Sequence, residues 1–248
     1  MRALILGGTS DAHRLADALA RAGFEAIYSY GGRTRAPAEL PLPTRVGGFG
    51  GASGLAEYIR REAITHVVDA THPFAAEISR NAVIACATTA TRLIALEREP
   101  WAKAPGDNWI EVADIASAVR ALPDERARVF LAIGRQHIAP FDTKPQHAYT
   151  LRFVDPPDGP LPLSDAEVIV SRGPFVLAGE LEMMRLRKIE WIVARNSGGS
   201  GARAKIDAAR ELGLPVIMLQ RPELPDRKRA ESVAEVMQWL GHRTCLGA

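Results

Sequence analysis

The sequence predicts an α/β protein with two Rossmann-like domains, each a parallel sheet flanked by helices, and a cleft between them. Three observations predict it. Short apolar runs alternate with amphipathic stretches at helical spacing along the chain, the pattern of repeated βαβ units. The first apolar run ends in a glycine turn followed at once by helix N-cap residue types. A charged, proline-containing stretch, Glu97-Arg98-Glu99-Pro100-Trp101, separates two such series and reads as a linker. The expected division is residues 1–97 as a nucleotide-binding domain and residues 98–248 as a second domain lining the cleft, its terminal helix free to pack across.

Ala3-Leu4-Ile5-Leu6 is uniformly apolar, as expected of a parallel strand buried on both faces. Gly7 and Gly8 break it. Thr9, Ser10 and Asp11 suit a helix start, and Leu15, Leu19 and Ala22 follow on one helical face. A helix N-terminus behind a glycine turn favours a phosphate, and glycine lets the backbone approach it closely. Gly7, Gly8, Thr9, Ser10 and Asp11 are therefore candidate cofactor contacts. The turn is shorter than the full dinucleotide fingerprint, so a plain βα turn satisfies the same residues.

Phe24 to Tyr30 is the second strand. In a dinucleotide fold its end faces the adenosine ribose, where an acid suits a 2′-hydroxyl and an arginine a 2′-phosphate. Ser29-Tyr30-Gly31-Gly32-Arg33-Thr34-Arg35 carries no acid and two guanidinium groups. NADP is favoured over NAD, with Tyr30, Gly31 and Arg33 as contacts; solvated loop arginines are the alternative. A proline loop follows. Arg45 and Val46 then run into the bend Gly47-Gly48-Phe49-Gly50-Gly51, whose backbone suits close approach to a bound group. Ala52 to Arg61 is an amphipathic helix, with Leu55, Ala56 and Ile59 on its apolar face.

Ile64 to Asp69 is the fourth strand. It delivers Asp69-Ala70-Thr71-His72-Pro73-Phe74-Ala75 at a carboxyl end, where open α/β sheets place their ligands. Thr71 and His72 can donate hydrogen bonds there, Thr71 being a further candidate cofactor contact, and Pro73 suits the first turn of the next helix. Capping and turn roles suit Asp69 and His72 equally well. Leu93 to Leu96 is a fifth buried strand.

Beyond the linker the alternation resumes. Trp109–Val112, Val129–Gly134, His147–Val154, Val168–Val170, Trp191–Ala194 and Pro215–Leu219 read as strands, with His147–Val154 at an edge. Helices are expected over Ile115–Leu122, Phe175–Arg187, Ala202–Leu212 and Ser232–Leu240. Arg135, Arg172 and Arg195 each follow a strand, and Lys205 lies close behind the turn Asn196-Ser197-Gly198-Gly199, itself a candidate anion nest. Together these cations suit a polyanionic organic molecule, because arginine orients carboxylates as well as attracting them.

Composition bounds the rest. The 248 residues suffice for one large or two small domains. A net charge of +2 with no basic stripe argues against nucleic acid as a partner. Cys86 and Cys245 supply neither a disulfide framework nor metal-ligand spacing, so no metal site is expected. No run approaches the ~18 apolar residues of a membrane span. Met1-Arg2 leaves no room for a signal-peptide core, so a cytoplasmic protein is expected. The oligomeric state is not encoded in any motif.

Asp69-Ala70-Thr71-His72-Pro73-Phe74-Ala75, following Gly7-Gly8-Thr9, resembles the precorrin-6A reductase family of cobalamin (vitamin B12) synthesis. Ser171-Arg172-Gly173-Pro174-Phe175, Arg195-Asn196-Ser197-Gly198-Gly199 and Lys205 through Arg221-Pro222 extend the resemblance over nearly the whole chain. Arg195 departs from it, since lysine is expected before the glycine turn, but the positive charge is retained. The resemblance implies hydride transfer from NADPH to precorrin-6A, giving precorrin-6B. A tetrapyrrole would then be the polyanion held by Arg135, Arg172, Gly173, Arg195 and Lys205, with the turn Asn196, Ser197, Gly198 and Gly199 beside them, although a glycine nest serves the cofactor's phosphates equally well. Asp69 and His72 are the candidate catalytic proton donors by residue type. Two other classes fit parts of the pattern: a two-domain nucleotide-sugar transferase, and a non-catalytic NADP-binding sensor.

Overall fold

A computed structural model describes residues 1–32, 39–157 and 159–241. The chain forms two units, residues 1–99 joined by the chain from Pro222 onward, and residues 100–221. Each is built on one six-stranded, wholly parallel sheet.

The first unit opens β1 (Arg2–Leu6), α1 (Ser10–Arg21), β2 (Glu25–Tyr30), β3 (Thr44–Val46), α2 (Gly51–Arg61), β4 (His66–Asp69), α3 (Ala76–Thr89) and β5 (Arg92–Leu96). β1 lies at the sheet centre, and Ala3 to Leu6 are buried because helices cover both faces. α1 starts at Thr9, whose extended backbone and hydroxyl cap the Ala12 amide at 3.1 Å. Leu15, Ala16 and Leu19 pack with Ala3, Ile5 and Tyr28 on one face of the sheet; Leu55, Ile59, Ala82 and Ala85 pack with Leu4 and Val67 on the other.

The second unit contains β6 (Asn108–Val112), α4 (Ile115–Arg120), β7 (Arg128–Ala132), β8 (Ala148–Phe153), β9 (Ala166–Val170), α5 (Leu177–Leu186), β10 (Trp191–Arg195), α6 (Ala204–Glu211) and β11 (Pro215–Leu219). Its strand order is β6-β11-β10-β7-β8-β9. The sequence places His147–Val154 at an edge, but β8 lies between β7 and β9. Burial of Tyr149, Thr150, Leu151 and Phe153 accounts for this, while β9, exposed at Glu167 and Val170 and with no fully buried position, takes the edge.

The chain then returns to the first unit as β12 (Arg229–Ala230) and α7 (Val233–Gly241). This departs from the sequence reading, which assigns 98–248 to the second domain. β12 pairs with β5 through Ala95 N–H to Lys228 O at 2.8 Å and Glu97 N–H to Ala230 O at 2.9 Å. Val236, Trp239 and Leu240 of α7 enter the core beside α1. The completed sheet runs β12-β5-β4-β1-β2-β3. That is the doubly wound dinucleotide-binding order, with the sixth strand supplied by the chain's last segment.

Candidate functional site

In an open parallel sheet, ligands bind outside the carboxyl ends of the strands where the order reverses. In the first unit that point lies between β1 and β4. Register makes the ends level: Leu6 is the partner of both Ser29 and Asp69, and Tyr30 is the partner of Val46. The residues just beyond these pairs therefore converge. A cavity of ≈ 230 Å³ opens there, lined by Leu6, Gly7, Gly8, Ser29, Tyr30, Gly31, Gly47, Phe49, Thr71, His72, Ala75 and Ile78.

The two glycines are required for different reasons. A Cβ on Gly7 would stand 2.1 Å from Cζ and 2.2 Å from Oη of Tyr28, whose ring is fully buried beneath the turn. Gly8 has open space around it but a φ of +115°, a region that L side chains rarely adopt. Its N–H is not free for a phosphate but donates to Tyr28 Oη at 2.8 Å. Gly7 N–H likewise donates to Ser29 O at 3.0 Å. Thr9 is committed twice, donating from Oγ1 to Ala70 O at 2.8 Å and capping α1. Ser10 is exposed at the first turn of α1. Its amide and that of Asp11 belong to the orphan donors at the positive end of the helix.

The side chain of Asp11, though not its amide, is a correction to the sequence reading. Its carboxylate is buried and ion-paired with Arg14 and Arg98, so it is not among the cavity-lining residues. Pairing with two guanidinium groups is what permits a carboxylate to be buried beside a helix start. Tyr30 lines the cavity and shares a hydrogen bond with His13 Nε2 at 3.2 Å; burial raises the pKa of its phenol. Arg33 and Arg35 lie outside the described residues, as does Cys245. Burial pushes the Cys86 thiol up to about 12, in keeping with an inert core thiol.

At the end of β4, Asp69 and His72 separate in role. Asp69 is buried and does not line the cavity. Its Oδ1 accepts from Thr71 Oγ1 at 2.6 Å and Thr71 N at 3.2 Å, while Oδ2 lies 4.0 Å from Arg227. Arg227, from the returning segment, also pairs with Glu97 at 2.9 Å. Through Oδ1 the Asp69 carboxylate thus shapes the loop. Thr71 and His72 do line the cavity. The Thr71 proton is directed at Asp69, which leaves its oxygen as an acceptor. His72 Nδ1 accepts from Phe74 N–H at 3.2 Å, so the neutral ring carries its proton on Nε2.

Reasoning from sequence missed Ser29 and Phe49 as wall residues. A serine at a strand end and an aromatic within a glycine bend were the available signals. Arg45 lies behind both, donating to Ser29 Oγ at 2.7 Å and stacking over Phe49 at 3.9 Å.

In the second unit the reversal lies between β7 and β10, whose ends lead to Arg135 and Arg195. Arg135 is exposed in a short 3₁₀ turn over Arg135–His137. Arg172 follows the edge strand β9, is largely exposed, and lies 3.8 Å from Asp155. Three strand spacings at ~4.8 Å put β9 roughly 14 Å from β10, so Arg172 and Arg195 start from well-separated strands. Gly173 is exposed beside Phe175.

Asn196 is a second correction. It is buried, accepting from Trp101 N–H at 2.7 Å and donating to Trp101 O at 2.9 Å, so its amide clamps backbone. Arg221 holds the next stretch, donating to Asn196 O at 3.0 Å and Ser197 O at 3.1 Å. Gly198 and Gly199 take φ of +69° and +68°, and Gly199 O accepts from Trp101 Nε1 at 2.7 Å. Lys205 Nζ donates to Ala202 O at 2.7 Å and sits 5.2 Å over the Trp101 ring. Desolvation brings that amine down to about 8, opposed by Glu180 and reinforced by Arg152 and Arg195. Arg195 and Lys205 are thus close enough to act on one another; Glu180 is bidentate with Arg152, at 2.6 and 3.2 Å.

Among the described residues, no cluster of His, Cys, Asp or Glu could hold a metal ion, and no helix is long and apolar enough to cross a membrane.

The family model described as precorrin-6x reductase CbiJ/CobK matches residues 2–241. The precorrin-6A reductase of Rhodobacter capsulatus is 56% identical over 239 residues, covering 96% of this chain and 95% of that protein. That of a Sinorhizobium species is 49% identical over 242 residues, covering 97% and 93%. A cobalt-precorrin-6A reductase of Priestia megaterium is 28% identical over 254 residues. A solved structure of CobK precorrin-6A reductase, 56% identical, superposes with a TM-score of 0.93 over 97% of this chain and 96% of that one.

Proposed function

The chain belongs to the precorrin-6x reductase family, and on that footing we propose that it reduces precorrin-6A to precorrin-6B with NADPH in cobalamin biosynthesis. The observation that supports the cofactor is the cavity at the β1/β4 reversal, walled by glycines at the level of a helix N-terminus. Its ≈ 230 Å³ is below the ~300–1,000 Å³ usual for ligand pockets, so it suits part of a dinucleotide.

The residues present fit that group. Gly7 and Gly8 keep the turn free of side chains, and the first-turn amides of Ser10 and Asp11 face the place for a pyrophosphate. Tyr30 and Gly31 border the ribose side, and the Thr71 oxygen is an acceptor for an amide. NADPH, when bound, supplies the hydride. The protein's work is to orient the reactants, exclude water and deliver a proton to the neighbouring carbon. His72 is the residue suited to deliver that proton, since it lines the cavity; its imidazolium form is the donor, and forming it releases the Phe74 N–H bond to Nδ1. Asp69 serves it indirectly by shaping the loop.

Arg135, Arg172, Arg195 and Lys205, with Gly173 and the backbone of Ser197, Gly198 and Gly199, are the proposed contacts for the tetrapyrrole's carboxylates. Charge-assisted arginine contacts fix the orientation of such a ligand. Whether the ring carries cobalt is a property of the substrate.

Fluorescence titration with NADPH and NADH, followed by turnover of precorrin-6A, tests the reading. A preference for NADPH and formation of precorrin-6B are expected. Arg195→Ala should raise KM for the tetrapyrrole and leave NADPH affinity unchanged. Selective loss of NADPH affinity in that variant would overturn the assignment of the Ser197–Gly199 turn to substrate.

A further inference from the structure

We propose that Arg45, on the third strand, reads the ribose 2′-phosphate of NADPH. This rests on the NADPH reading above and deepens it. Arg45 and Ser29 are register partners across β2 and β3. Ser29, Gly47 and Phe49 all line the cavity, and Arg45 engages each of them. One terminal nitrogen donates to Ser29 Oγ at 2.7 Å and Gly47 O at 2.9 Å; the other donates to Gly48 O at 3.0 Å. The guanidinium carbon lies 3.9 Å over the Phe49 ring and 5.3 Å over that of Tyr58. These contacts fix a cation against the wall residues Ser29, Gly47 and Phe49, just outside the cavity lining on its β2–β3 side, the side on which a dinucleotide fold carries its adenosine ribose.

Charge balance points to an anion there. Among the described residues, Arg45 is held by a hydroxyl, two carbonyls and two aromatic rings, and it forms no ion pair. Burial disfavours its charge; the Tyr58 phenol offsets part of this, and the neighbouring cation Arg61 adds to it. A partly desolvated guanidinium without a carboxylate is suited to a phosphate dianion, since charge-assisted contacts gain most where water is partly excluded. The donor count leaves room for one. Of the five N–H groups, three are used in the bonds above, and two remain for a forked contact. Stacking on Phe49 holds the group before any ligand arrives, which limits the ordering cost of binding.

A purely bracing role would hold Ser29 and the glycine bend in place for any nucleotide. Binding measurements separate the two. NADPH and NADH are titrated into the wild type, Arg45→Gln and Arg45→Lys, alongside adenosine 2′,5′-bisphosphate and AMP. Arg45→Gln is expected to weaken NADPH and the bisphosphate by about ten- to a hundredfold, the range for a lost charge-assisted hydrogen bond. NADH and AMP should stay within about twofold. Phosphorus NMR of saturated complexes should show the 2′-phosphate signal of the wild type returning toward its free position in the variant.

Equal weakening of NADPH and NADH, or an undiminished NADPH preference in Arg45→Gln, would overturn the proposal alone. A wild type that binds both cofactors equally would overturn the NADPH reading, and the proposal with it. Should Arg45→Gln unfold, Arg45→Lys decides by the same comparison, because it keeps the charge but loses the fork.

Discussion

Gly7→Ala tests whether the turn depends on the tyrosine below it. The added Cβ would meet Tyr28 at 2.1 Å from Cζ, 2.2 Å from Oη and 2.5 Å from Cε1. Carbon atoms pack at about 3.5–4.0 Å, so the turn or the ring has to move by more than ~1 Å. The ring has nowhere to go: Tyr28 is fully buried, 4.6 Å from Tyr30 and 5.7 Å from His13 between centroids. Moving it also breaks the Gly8 N–H to Tyr28 Oη bond. Overpacking costs about 1–3 kcal/mol and the lost hydrogen bond about 1 kcal/mol, together roughly 2–4 kcal/mol. At about 2–4 °C per kcal/mol, Tm should fall by roughly 5–15 °C in scanning calorimetry. NADPH affinity should fall too, because the displaced turn is the proposed phosphate site. Tyr28→Leu removes the atoms that clash, so Gly7→Ala should cost at least ~1 kcal/mol less in that background. A neutral Gly7→Ala, or strict additivity of the two changes, would refute the reasoning.

Three further outcomes are expected. His72→Gln should lower turnover by about 10²–10⁴-fold, the usual contribution of a positioned acid, while Asp69→Asn stays within about tenfold and keeps the pH profile; the reverse order in steady-state rates would restore Asp69 as the donor. Asn196→Ala leaves the Trp101 N–H and C=O without their partner, so urea unfolding should show a loss of roughly 2–6 kcal/mol, at about 1–3 kcal/mol per buried group. Lys205 has a folded pKa of about 8, below its ordinary 10.5, so the unfolded chain binds more protons between those values. Its contribution to stability therefore rises as pH goes from about 8 to 10.5 and is unfavourable in full below that window. Lys205→Met should flatten this rise relative to the wild type and be the more stable protein at about pH 7, measured by urea midpoints across the range.

Elements whose signals are local were legible in the chain. Ala3–Leu6, the Gly7-Gly8 break and the Thr9 cap lie within a few residues of one another, so propensity and burial pattern suffice to place β1 and α1. The same holds for Thr71 and His72 beyond β4, because every strand of a parallel sheet brings its carboxyl end to one side. What needed tertiary structure are the places where a polar group is claimed by a distant partner. Asp11 resembles a phosphate-turn residue until Arg98 takes its carboxylate. Asn196 resembles a ligand contact until Trp101 fills its amide. Asp69 resembles an acid at a site until Thr71 and Arg227 enclose it. β12 escaped for a related reason: it is two residues long and exists only because β5 offers it an edge. Local sequence records which groups can hydrogen-bond, whereas the folded chain decides which of them remain available to a ligand, since a buried polar group takes the partner that desolvation leaves within reach.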